Sequence, residues 1–444
     1  MGMITLGQAA KWCGGTVSPQ FEDITFLGAN MDTRKLLPGQ LFIALEGVRD
    51  GHDFMEMAME KGATAVLCKH APADMPAIIV EDPRVALGKI AAGERQRMGM
   101  KVVGVTGSVG KSTTKEMIAC VLQDTYRVSK TPANFNNDLG MPMAILAMPE
   151  DTQVAVLEMG MNHFREIAYL SNIARPDVGV IINVGTMHIE HLGSREGILR
   201  AKLEILEGME DHAPLFVNGD NDLLGAWAEN NRAHCFGMAE NAQIRAENVE
   251  ENTGCIGYTV RTKDETFCVE LPLEGMHYVS DSLAAVSVGL NMGVSPRLIA
   301  ARLAAFQTME GRQEIFEAKG MTIIKDCYNA GPESMAAALS VLGKRAGRRI
   351  AVLGDMLELG DCAPAEHRKV GCLASQNADL ILAYGPLAQY VSEGANGKCE
   401  TFTDRAIMIQ RVKELTLPGD VLLFKGSHGM HMELVLEGLL KEET

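Results

Sequence analysis

A glycine loop between an apolar segment and a helical one constrains the fold of this chain more than any other feature. Residues 101–123 read KVVGVTGSVGKSTTKEMIACVLQ. The apolar start of this segment predicts a buried strand, and its last part has the apolar spacing of a helix. A strand, a glycine loop and a helix in this order are the context of a phosphate-binding loop.

The residues of this loop each have a chemical role. Gly107 and Gly110 let the backbone curl so that successive N–H groups point at one anion, and the helix dipole adds to the attraction. Lys111 would reach the β- and γ-phosphates of a nucleotide, and the Ser112 hydroxyl would hold Mg²⁺. The general pattern has a glycine where Val105 stands, and an ordinary strand-to-helix turn is the alternative. We favour the phosphate loop because Gly-Lys-Ser stands where all three roles need it.

Polar side chains also follow later apolar segments. Glu158 ends the apolar run 154–157, and a carboxylate at the end of a parallel strand beside a phosphate loop can ligate the metal of a nucleotide. His191 lies past the strand predicted at 178–182, where two histidines flank a glutamate. Lys202 lies on a predicted helix, and periodicity alone places it towards solvent. The Asn-rich segment 131–140 is too polar for a core and predicts a loop.

Composition limits the class of protein. The 444 residues, with 47% hydrophobic and 22% charged residues, are typical of a globular chain of about two to four domains. The net charge of −16 argues against nucleic-acid partners and an anionic membrane surface, but not against an anionic substrate held by local cations. Ten cysteines without a CxxC pair indicate free thiols in a reducing cytosol. Since neither a bilayer-spanning run nor a signal sequence is evident, we expect a cytoplasmic protein.

The alternation of apolar and helical segments predicts an α/β protein. Residues 1–82 read as a small mixed unit, in which Arg34 and Arg49 could clamp an anion, although such charges alone are usually solvated surface groups. Residues 240–275 predict short antiparallel strands. Beyond Gly311, strands and helices alternate again in the pattern of a doubly wound sheet.

A series of motifs along nearly the whole chain resembles the Mur ligases of peptidoglycan synthesis. They include DTRKLLPGQLFIAL, NFNNDLG, LEMGMNHFREI, DCYNAGPESM, VLGDMLELGD and VLLFKGS. The family writes its phosphate loop T-G-x-x-G-K-[ST], which accounts for Val105. The resemblance implies a UDP-substrate-binding domain over residues 1–82, a central ATP-binding ligase domain with a mostly parallel sheet over 83–310, and a C-terminal Rossmann-like domain over 311–444.

The resemblance also implies an activity. An ATP-dependent amide ligase of this kind would add D-Ala-D-Ala to UDP-MurNAc-tripeptide through an acyl phosphate and release ADP and phosphate. ATP and Mg²⁺ are the implied cofactors. The two peptide substrates are the implied partners, and the ligase is expected to be a monomer.

Roles for individual residues follow from the same resemblance. The implied catalytic residues are Lys111, His191 and Lys202, of which Lys202 matches a lysine that is carbamylated in some Mur ligases. The implied metal ligands are Ser112, Glu158, His191 and Lys202. The implied nucleotide-binding residues are Thr106, Gly107, Ser108, Gly110, Lys111, Ser112, Thr113, Asp281, Arg312 and Asp326. The implied substrate-binding residues are Thr33, Arg34, Gly47, Arg49, Asn134, Asn137, Asn329, Lys425 and Ser427.

Two segments depart from the family pattern. Residues 277–281 read HYVSD where the family has His-Asn-x-x-Asn. The carboxylate of Asp281 only accepts hydrogen bonds, whereas an amide also donates, so we expect altered adenine contacts and ATP affinity. Lys325 and Gly331 replace residues of the family's Asp-Asp-Ser-Tyr-Asn-Ala-Asn-Pro segment, near the expected dipeptide site.

Three other functions are compatible with parts of this pattern. A Mur-type ligase for another pair, such as a folylpolyglutamate-like enzyme, is disfavoured by the N-terminal DTR and GHDF segments. A nucleotide-dependent switch or transport ATPase would release phosphate without an amine acceptor. A degenerate binding protein is disfavoured by five retained residues: Lys111, Ser112, Glu158, His191 and Lys202.

Overall fold

The structure is a computed structural model that describes residues 3–441. Its strands form four sheets of two, four, nine and six strands, and most neighbouring strands in the larger sheets run parallel. Across the described range, no helix combines the length and apolarity needed to cross a membrane. The fold is α/β with mostly parallel sheets, as the alternation of apolar and helical segments predicts.

The N-terminal unit holds the two smallest sheets. Its elements are β1 (Ile4–Thr5), α1 (Leu6–Cys13), β2 (Thr25–Phe26), β3 (Ala29–Asn30), β4 (Leu41–Ile43), α2 (Met55–Glu60), β5 (Ala65–Cys68) and β6 (Ala77–Ile79). Strands β3 to β6 pair in chain order and are parallel. The Thr5 hydroxyl caps α1 by accepting the N–H of Gln8, and Gly14 ends the helix in the left-handed region at φ 74°.

The central unit is built on the nine-stranded sheet. Its elements are α3 (Pro83–Met98), β7 (Lys101–Thr106), α4 (Lys111–Leu122), β8 (Val128–Lys130), α5 (Gly140–Leu146), β9 (Val154–Glu158), α6 (Glu166–Ala174), β10 (Val178–Ile181), α7 (Ile189–Leu192), α8 (Arg195–Leu203), β11 (Leu215–Asn218), α9 (Asp222–Ala228), β12 (His234–Gly237), β13 (Ile244–Asn252), β14 (Cys255–Arg261), β15 (Thr266–Leu271), α10 (His277–Asn291) and α11 (Pro296–Ala304). The strand order is β15-β14-β13-β12-β11-β10-β7-β9-β8. As predicted, β13, β14 and β15 are antiparallel.

Strand β7 determines where a ligand can bind. It lies between β9 and β10, and the chain moves to one side of it through β8 and β9 and to the other through β10 and β11. Val102, Val103 and Val105 are fully buried between hydrophobic cores on the two faces of the sheet. Ligands of such sheets bind beyond the carboxyl ends of the strands where the order reverses, which here is the end of β7.

The C-terminal unit contains the six-stranded sheet. Its elements are β16 (Glu314–Ala318), β17 (Met321–Asp326), α12 (Pro332–Gly343), β18 (Arg349–Gly354), α13 (Ala363–Asn377), β19 (Leu380–Tyr384), α14 (Ala388–Gly394), β20 (Cys399–Phe402), α15 (Arg405–Leu415), β21 (Val421–Lys425) and α16 (Met432–Leu440). The strand order is β16-β17-β21-β18-β19-β20, and only the β16–β17 pair is antiparallel in this sheet. Separate cores cover its two faces, which agrees with the predicted doubly wound arrangement.

The units contact one another through both apolar and polar groups. Helix α3 packs against α1, and one apolar core contains residues of both the N-terminal and the central unit. The C-terminal unit meets the central one through polar contacts, such as the pair of Arg345 Nη2 and Glu274 Oε1 at 2.7 Å. The domain boundaries at residues 82 and 310 remain predictions.

Replacement of Gly93 by alanine tests the contact between α3 and α1. A Cβ at residue 93 would lie 2.3 Å from Cδ2 of Trp12, so the indole ring or the helix must move. We expect Gly93→Ala to lower the free energy of unfolding by about 1–3 kcal/mol, the usual cost of overpacking. Urea unfolding measures this change.

The control is Gly257→Ala in β14, where an added Cβ would have no heavy atom within 4 Å. Its free energy of unfolding should change by less than about 0.5 kcal/mol. Equal losses in the two variants would contradict the proposed clash.

Candidate active site

A cavity of about 460 Å³ lies at the carboxyl end of β7, between the central and C-terminal units. Residues 108–110 of the glycine loop, the ends of β9 and β10 and the start of α10 line one side of it. The other side comes from residues 326–338 and Lys425 of the C-terminal unit. The cavity therefore lies beside the glycine loop, where the sequence predicts a phosphate site.

The glycine loop is held in place by Asn183, which follows the neighbouring strand β10. Gly110 has φ 83° and precedes the first residue of α4, a left-handed conformation that favours glycine. The Asn183 side-chain oxygen accepts the N–H groups of Ser108 and Val109 at 2.9 and 3.0 Å, and its amide donates to the Val109 carbonyl at 2.9 Å. Lys111 Nζ donates to the Gly107 carbonyl at 2.9 Å. We did not predict a role for Asn183, although its place just after a buried strand was a usable signal.

Ser112 and Glu158 form a buried oxygen pair at the end of the loop. The Ser112 hydroxyl donates to Glu158 Oε2 at 2.8 Å, and both side chains are almost fully buried. The Asn136 amide donates to Glu158 Oε1 at 2.8 Å, and Arg312 Nη2 donates to Ser112 Oγ at 2.9 Å. A carboxylate and a hydroxyl side by side are ligands that suit a hard divalent cation such as Mg²⁺.

Lys115 compensates the charge of this pair. It is fully buried, and its ammonium lies 3.8 Å from Glu158 Oε2. It also donates to the Thr131 carbonyl at 2.7 Å, which ties α4 to the Asn-rich loop. The sequence offers no signal for Lys115, because only the fold shows that this turn of α4 faces a buried carboxylate.

The structure contradicts the expectation that Lys202 faces solvent. The side chain is 1% exposed, because α8 packs against α6, α7 and α9 and is covered on more than one face. Periodicity alone could not reveal this second covering. Burial and the nearby Lys111 charge lower the pKa of Lys202 well below its usual value.

His191 is exposed, unlike the buried Ser112 and Glu158. It lies on α7, and its ring stacks on that of His163 with 4.5 Å between centroids. Neither His191 nor Lys202 lines the cavity. Within residues 3–441, no three His, Cys, Asp or Glu side chains are grouped as a metal site, so any ion here would also need other ligands. The metal roles of His191 and Lys202 remain predictions.

Three predicted nucleotide-binding residues line the cavity opposite or beside the loop: Asp281, Arg312 and Asp326. Asp281 lies on α10 and is 3% exposed, and its Oδ1 accepts the Thr114 hydroxyl at 3.1 Å. It lies against Gly110, where an added Cβ would be 2.6 Å from Oδ1. Burial raises the pKa of Asp281 to about 7. Thr106 and Thr113 are also buried at the two ends of the loop.

The C-terminal unit brings three predicted residues together. Lys425 Nζ donates to Asp326 Oδ2 at 2.6 Å and to the Asn329 carbonyl at 3.0 Å, and all three residues line the cavity. Ser427 lies behind them, where its hydroxyl donates to the Ala330 carbonyl at 3.2 Å. These contacts fix the segment that follows β17 against the end of β21.

The remaining predicted substrate residues do not line this cavity: Thr33, Arg34, Gly47, Arg49, Asn134 and Asn137. Arg34 is highly exposed and pairs with Asp32 at 2.8 Å. Asn137 accepts the N–H of Gly140, the first residue of α5, at 2.7 Å. Asn136, which we did not single out, is the residue of that loop that contacts Glu158. The substrate roles of the six residues remain predictions.

Three family models match successive parts of the chain: the Mur ligase catalytic domain at residues 23–95, the Mur ligase middle domain at 105–289 and the Mur ligase glutamate ligase domain at 311–428. The UDP-N-acetylmuramoyl-tripeptide–D-alanyl-D-alanine ligase of Bacillus subtilis is 39% identical over 452 aligned residues, with 98% of each chain covered. The chain belongs to the MurF group of Mur ligases.

Solved structures agree with this assignment. MurF from Acinetobacter baumannii superposes with a TM-score of 0.93 at 32% identity, covering 100% of both chains. MurF from Thermotoga maritima in complex with ADP has a TM-score of 0.84 at 30% identity, covering 94% of this chain and 97% of that one. The resemblance, the α/β three-domain architecture and the assignment as an ATP-dependent ligase are confirmed.

Replacement of Asp281 by asparagine tests the electrostatics beside the phosphate loop. Since the pKa of Asp281 is raised to about 7, the folded protein holds a proton that the unfolded chain releases near pH 4. The free energy of unfolding of the wild-type protein, relative to that of the variant, is therefore highest below pH 4. It falls as the pH rises from 4 through 7. The variant keeps an oxygen for the Thr114 hydroxyl.

Urea unfolding at pH 5 and pH 8 measures this difference. The stability gain of Asp281→Asn should be larger at pH 8, by on the order of 1–4 kcal/mol. Asp264→Asn, on the exposed turn between β14 and β15, is the control. A gain that is the same at both pH values would show that Asp281 does not titrate in this range.

Proposed function

We propose that this ligase joins the terminal carboxylate of UDP-MurNAc-tripeptide to the amine of D-Ala-D-Ala, with conversion of ATP to ADP and phosphate. One observation carries the proposal: a phosphate loop and a buried hydroxyl–carboxylate pair share a cavity with polar groups of a second unit. Such a cavity can hold a triphosphate at one end and still admit an acid and an amine. The name of the Bacillus subtilis relative supplies the identity of both substrates.

The reaction needs activation because a carboxylate has no good leaving group. A carboxylate oxygen attacks the γ-phosphorus of ATP, and the bond from that phosphorus to the β-bridging oxygen breaks to release ADP. The amine then attacks the carbonyl carbon of the acyl phosphate, and phosphate leaves as the amide forms and the nitrogen loses a proton. Phosphoryl transfer of this kind depends mostly on positioning and on charge neutralisation.

The residues of the loop supply much of that positioning. Lys111 places a positive charge where the γ-phosphoryl group transfers, and the N–H groups at the start of α4 bind phosphate oxygens. Ser112 and Glu158 would hold Mg²⁺, which supplies further positive charge when bound. Burial lowers the pKa of Lys202 and so favours the uncharged amine, which is the form that adds to CO₂ with loss of a proton to give a carbamate. We propose this modification together with a ligand role for His191.

The C-terminal unit protects the reactive intermediate. Arg312 reaches from it to Ser112 and lies over the Tyr328 ring, 4.0 Å from the centroid. This contact closes the cavity beside the phosphate loop and would exclude water that hydrolyses an acyl phosphate. In the same proposal, Asp281 and Asp326 complete the nucleotide site.

The predicted substrate-binding residues and the cellular location belong to the same proposal. We propose that residues 1–82 bind the UDP group through Thr33, Arg34, Gly47 and Arg49, and that Asn134, Asn137, Asn329, Lys425 and Ser427 contact the peptide substrates. We place the monomeric enzyme in the cytoplasm, where ATP is available and free thiols persist.

Replacement of Lys111 by alanine tests the role of the loop. Loss of its charge from the transferring phosphoryl group should lower kcat by about 10²–10⁴, the scale for removal of one such electrostatic group. Lys101→Ala, at the exposed start of β7, is the control and should change kcat less than about twofold. Near-normal ligation by Lys111→Ala would overturn the mechanism.

Product analysis tests the reaction itself. Incubation with ATP, Mg²⁺, UDP-MurNAc-tripeptide and D-Ala-D-Ala should give a UDP-MurNAc-pentapeptide by mass spectrometry, with phosphate released in equal amount. Phosphate release should be slow when either peptide substrate is omitted. Rapid release without them would indicate a nucleotide-dependent switch, and a product formed only with another amine would indicate a different Mur-type ligase.

A further inference from the structure

Glu333 differs from the other carboxylates that line the cavity. Asp326 is paired with Lys425, and Glu158 lies next to Lys115 and accepts two hydrogen bonds. Burial raises the pKa of Asp281 to about 7, so that much of it is neutral near physiological pH. No ion pair of Glu333 is found among the described residues.

The neighbouring arginine does not supply the missing charge. Arg195 is the cation whose charge interacts with Glu333, but its guanidinium is committed to Asp222. Nη1 and Nη2 of Arg195 donate to the two carboxylate oxygens of Asp222 at 2.7 and 2.5 Å. Among the described residues, Glu333 therefore has no ion-pair partner of its own in a cavity that is proposed to receive ATP.

One oxygen of Glu333 is used to join the two units. Glu333 is the second residue of α12, and its Oε1 accepts the N–H of Thr186 at 2.9 Å and the Thr186 hydroxyl at 3.1 Å. It lies against Gly185, where an added Cβ would be 2.6 Å from Oε1. Thr186 belongs to the segment after β10 in the central unit, so this contact links the C-terminal unit to the floor of the cavity.

The other oxygen has no donor. Glu333 Oε2 is buried and makes no hydrogen bond with any part of the chain that the structure describes. A buried carboxylate oxygen without a donor is unfavourable, and a charged donor compensates it best. Because Glu333 also lines the cavity, its carboxylate suits a ligand there that brings a positive charge and several N–H groups.

Gly331 lets Glu333 approach the central unit. A Cβ at residue 331 would lie 2.8 Å from Met187 Cγ. The absence of a side chain lets the start of α12 approach the 185–188 segment closely. The glycine therefore helps to place the Glu333 carboxylate at the interface.

We propose that the Glu333 carboxylate, which lines the cavity, binds a primary ammonium group of a peptide substrate. This inference rests on the proposed function and deepens it. ATP, the UDP group and the acceptor carboxylate are anions, which Glu333 repels, whereas a primary ammonium brings three N–H donors and one positive charge. Two sources offer that group: the amino terminus of D-Ala-D-Ala, and the side chain of a diamino acid at the third position of the tripeptide.

The variant Glu333→Gln tests the proposal. Its amide oxygen can still accept from Thr186, but the charge is gone. We expect the KM of one ammonium-bearing substrate to rise by about 10-fold to 100-fold, as for loss of a hydrogen bond to a charged group, while the KM of ATP changes less than about twofold. The control is Glu358→Gln, because Glu358 Oε2 makes another contact of this interface, 2.7 Å from His188 Nδ1.

The choice of substrates separates the two sources. A rise confined to the KM of D-Ala-D-Ala assigns Glu333 to the attacking amine. A rise confined to a tripeptide with a diamino acid, and absent for one with an uncharged third side chain, assigns it to the acceptor. Unchanged KM values would overturn the proposal. Equal rises of KM for all three substrates would also overturn it, because they would indicate a general weakening of the interface between the units.

A second measurement does not depend on how the variant folds. The affinity of the wild-type enzyme is measured for two inhibitors. One is a D-Ala-D-Ala analogue with a hydroxyl in place of the amine, and the other is a tripeptide analogue without the side-chain amine. At least one of these should bind about tenfold or more weakly than its ammonium-bearing counterpart. If neither binds more weakly, the inference fails, whereas absence of pentapeptide from wild-type enzyme would instead refute the proposed function.

Discussion

The hydrogen bond between Ser112 and Glu158 is the contact on which the site depends. It joins the first turn of α4 to the end of β9 at 2.8 Å, and it exists because β7 and β9 pair in parallel with Val105 opposite Glu158. A shift of this register by one residue would turn Glu158 to the other face of the sheet. The phosphate loop, the candidate Mg²⁺ ligands and the contact with Arg312 all follow from that pairing.

Charge balance in and around the cavity accounts for the lysines that lie near this contact. The chain has a net charge of −16, yet Lys111, Lys115, Lys202 and Lys425 converge on the region around the phosphate loop and the facing segment of the C-terminal unit. Buried charges are tolerated when they are paired, as Lys425 is with Asp326. Lys202 instead responds to burial by a lowered pKa, which favours its uncharged form.

The interface between the central and C-terminal units is polar where it borders the cavity. Hydrogen bonds from Arg312 and to Glu333 lie beside the contact of His188 with Glu358. Both residues of that last contact have positive φ, 64° and 63°, and such backbone strain costs about 1 kcal/mol or more at each residue. Polar contacts of this kind allow units to separate and close again, which a ligase needs in order to admit three substrates and release three products.

The sequence by itself determined the local parts of this protein: the strand–loop–helix of the phosphate site, the carboxylate at the end of β9 and the alternation that builds the C-terminal sheet. These follow from patterns of neighbouring residues, which apolar spacing and glycine positions record. The tertiary structure alone decided the burial of Lys202, the hold of Asn183 on the glycine loop, and the place of Glu333 at the interface. Each depends on groups far apart in the chain, 75 residues in the case of Asn183 and Ser108, and no local pattern encodes which surfaces will meet.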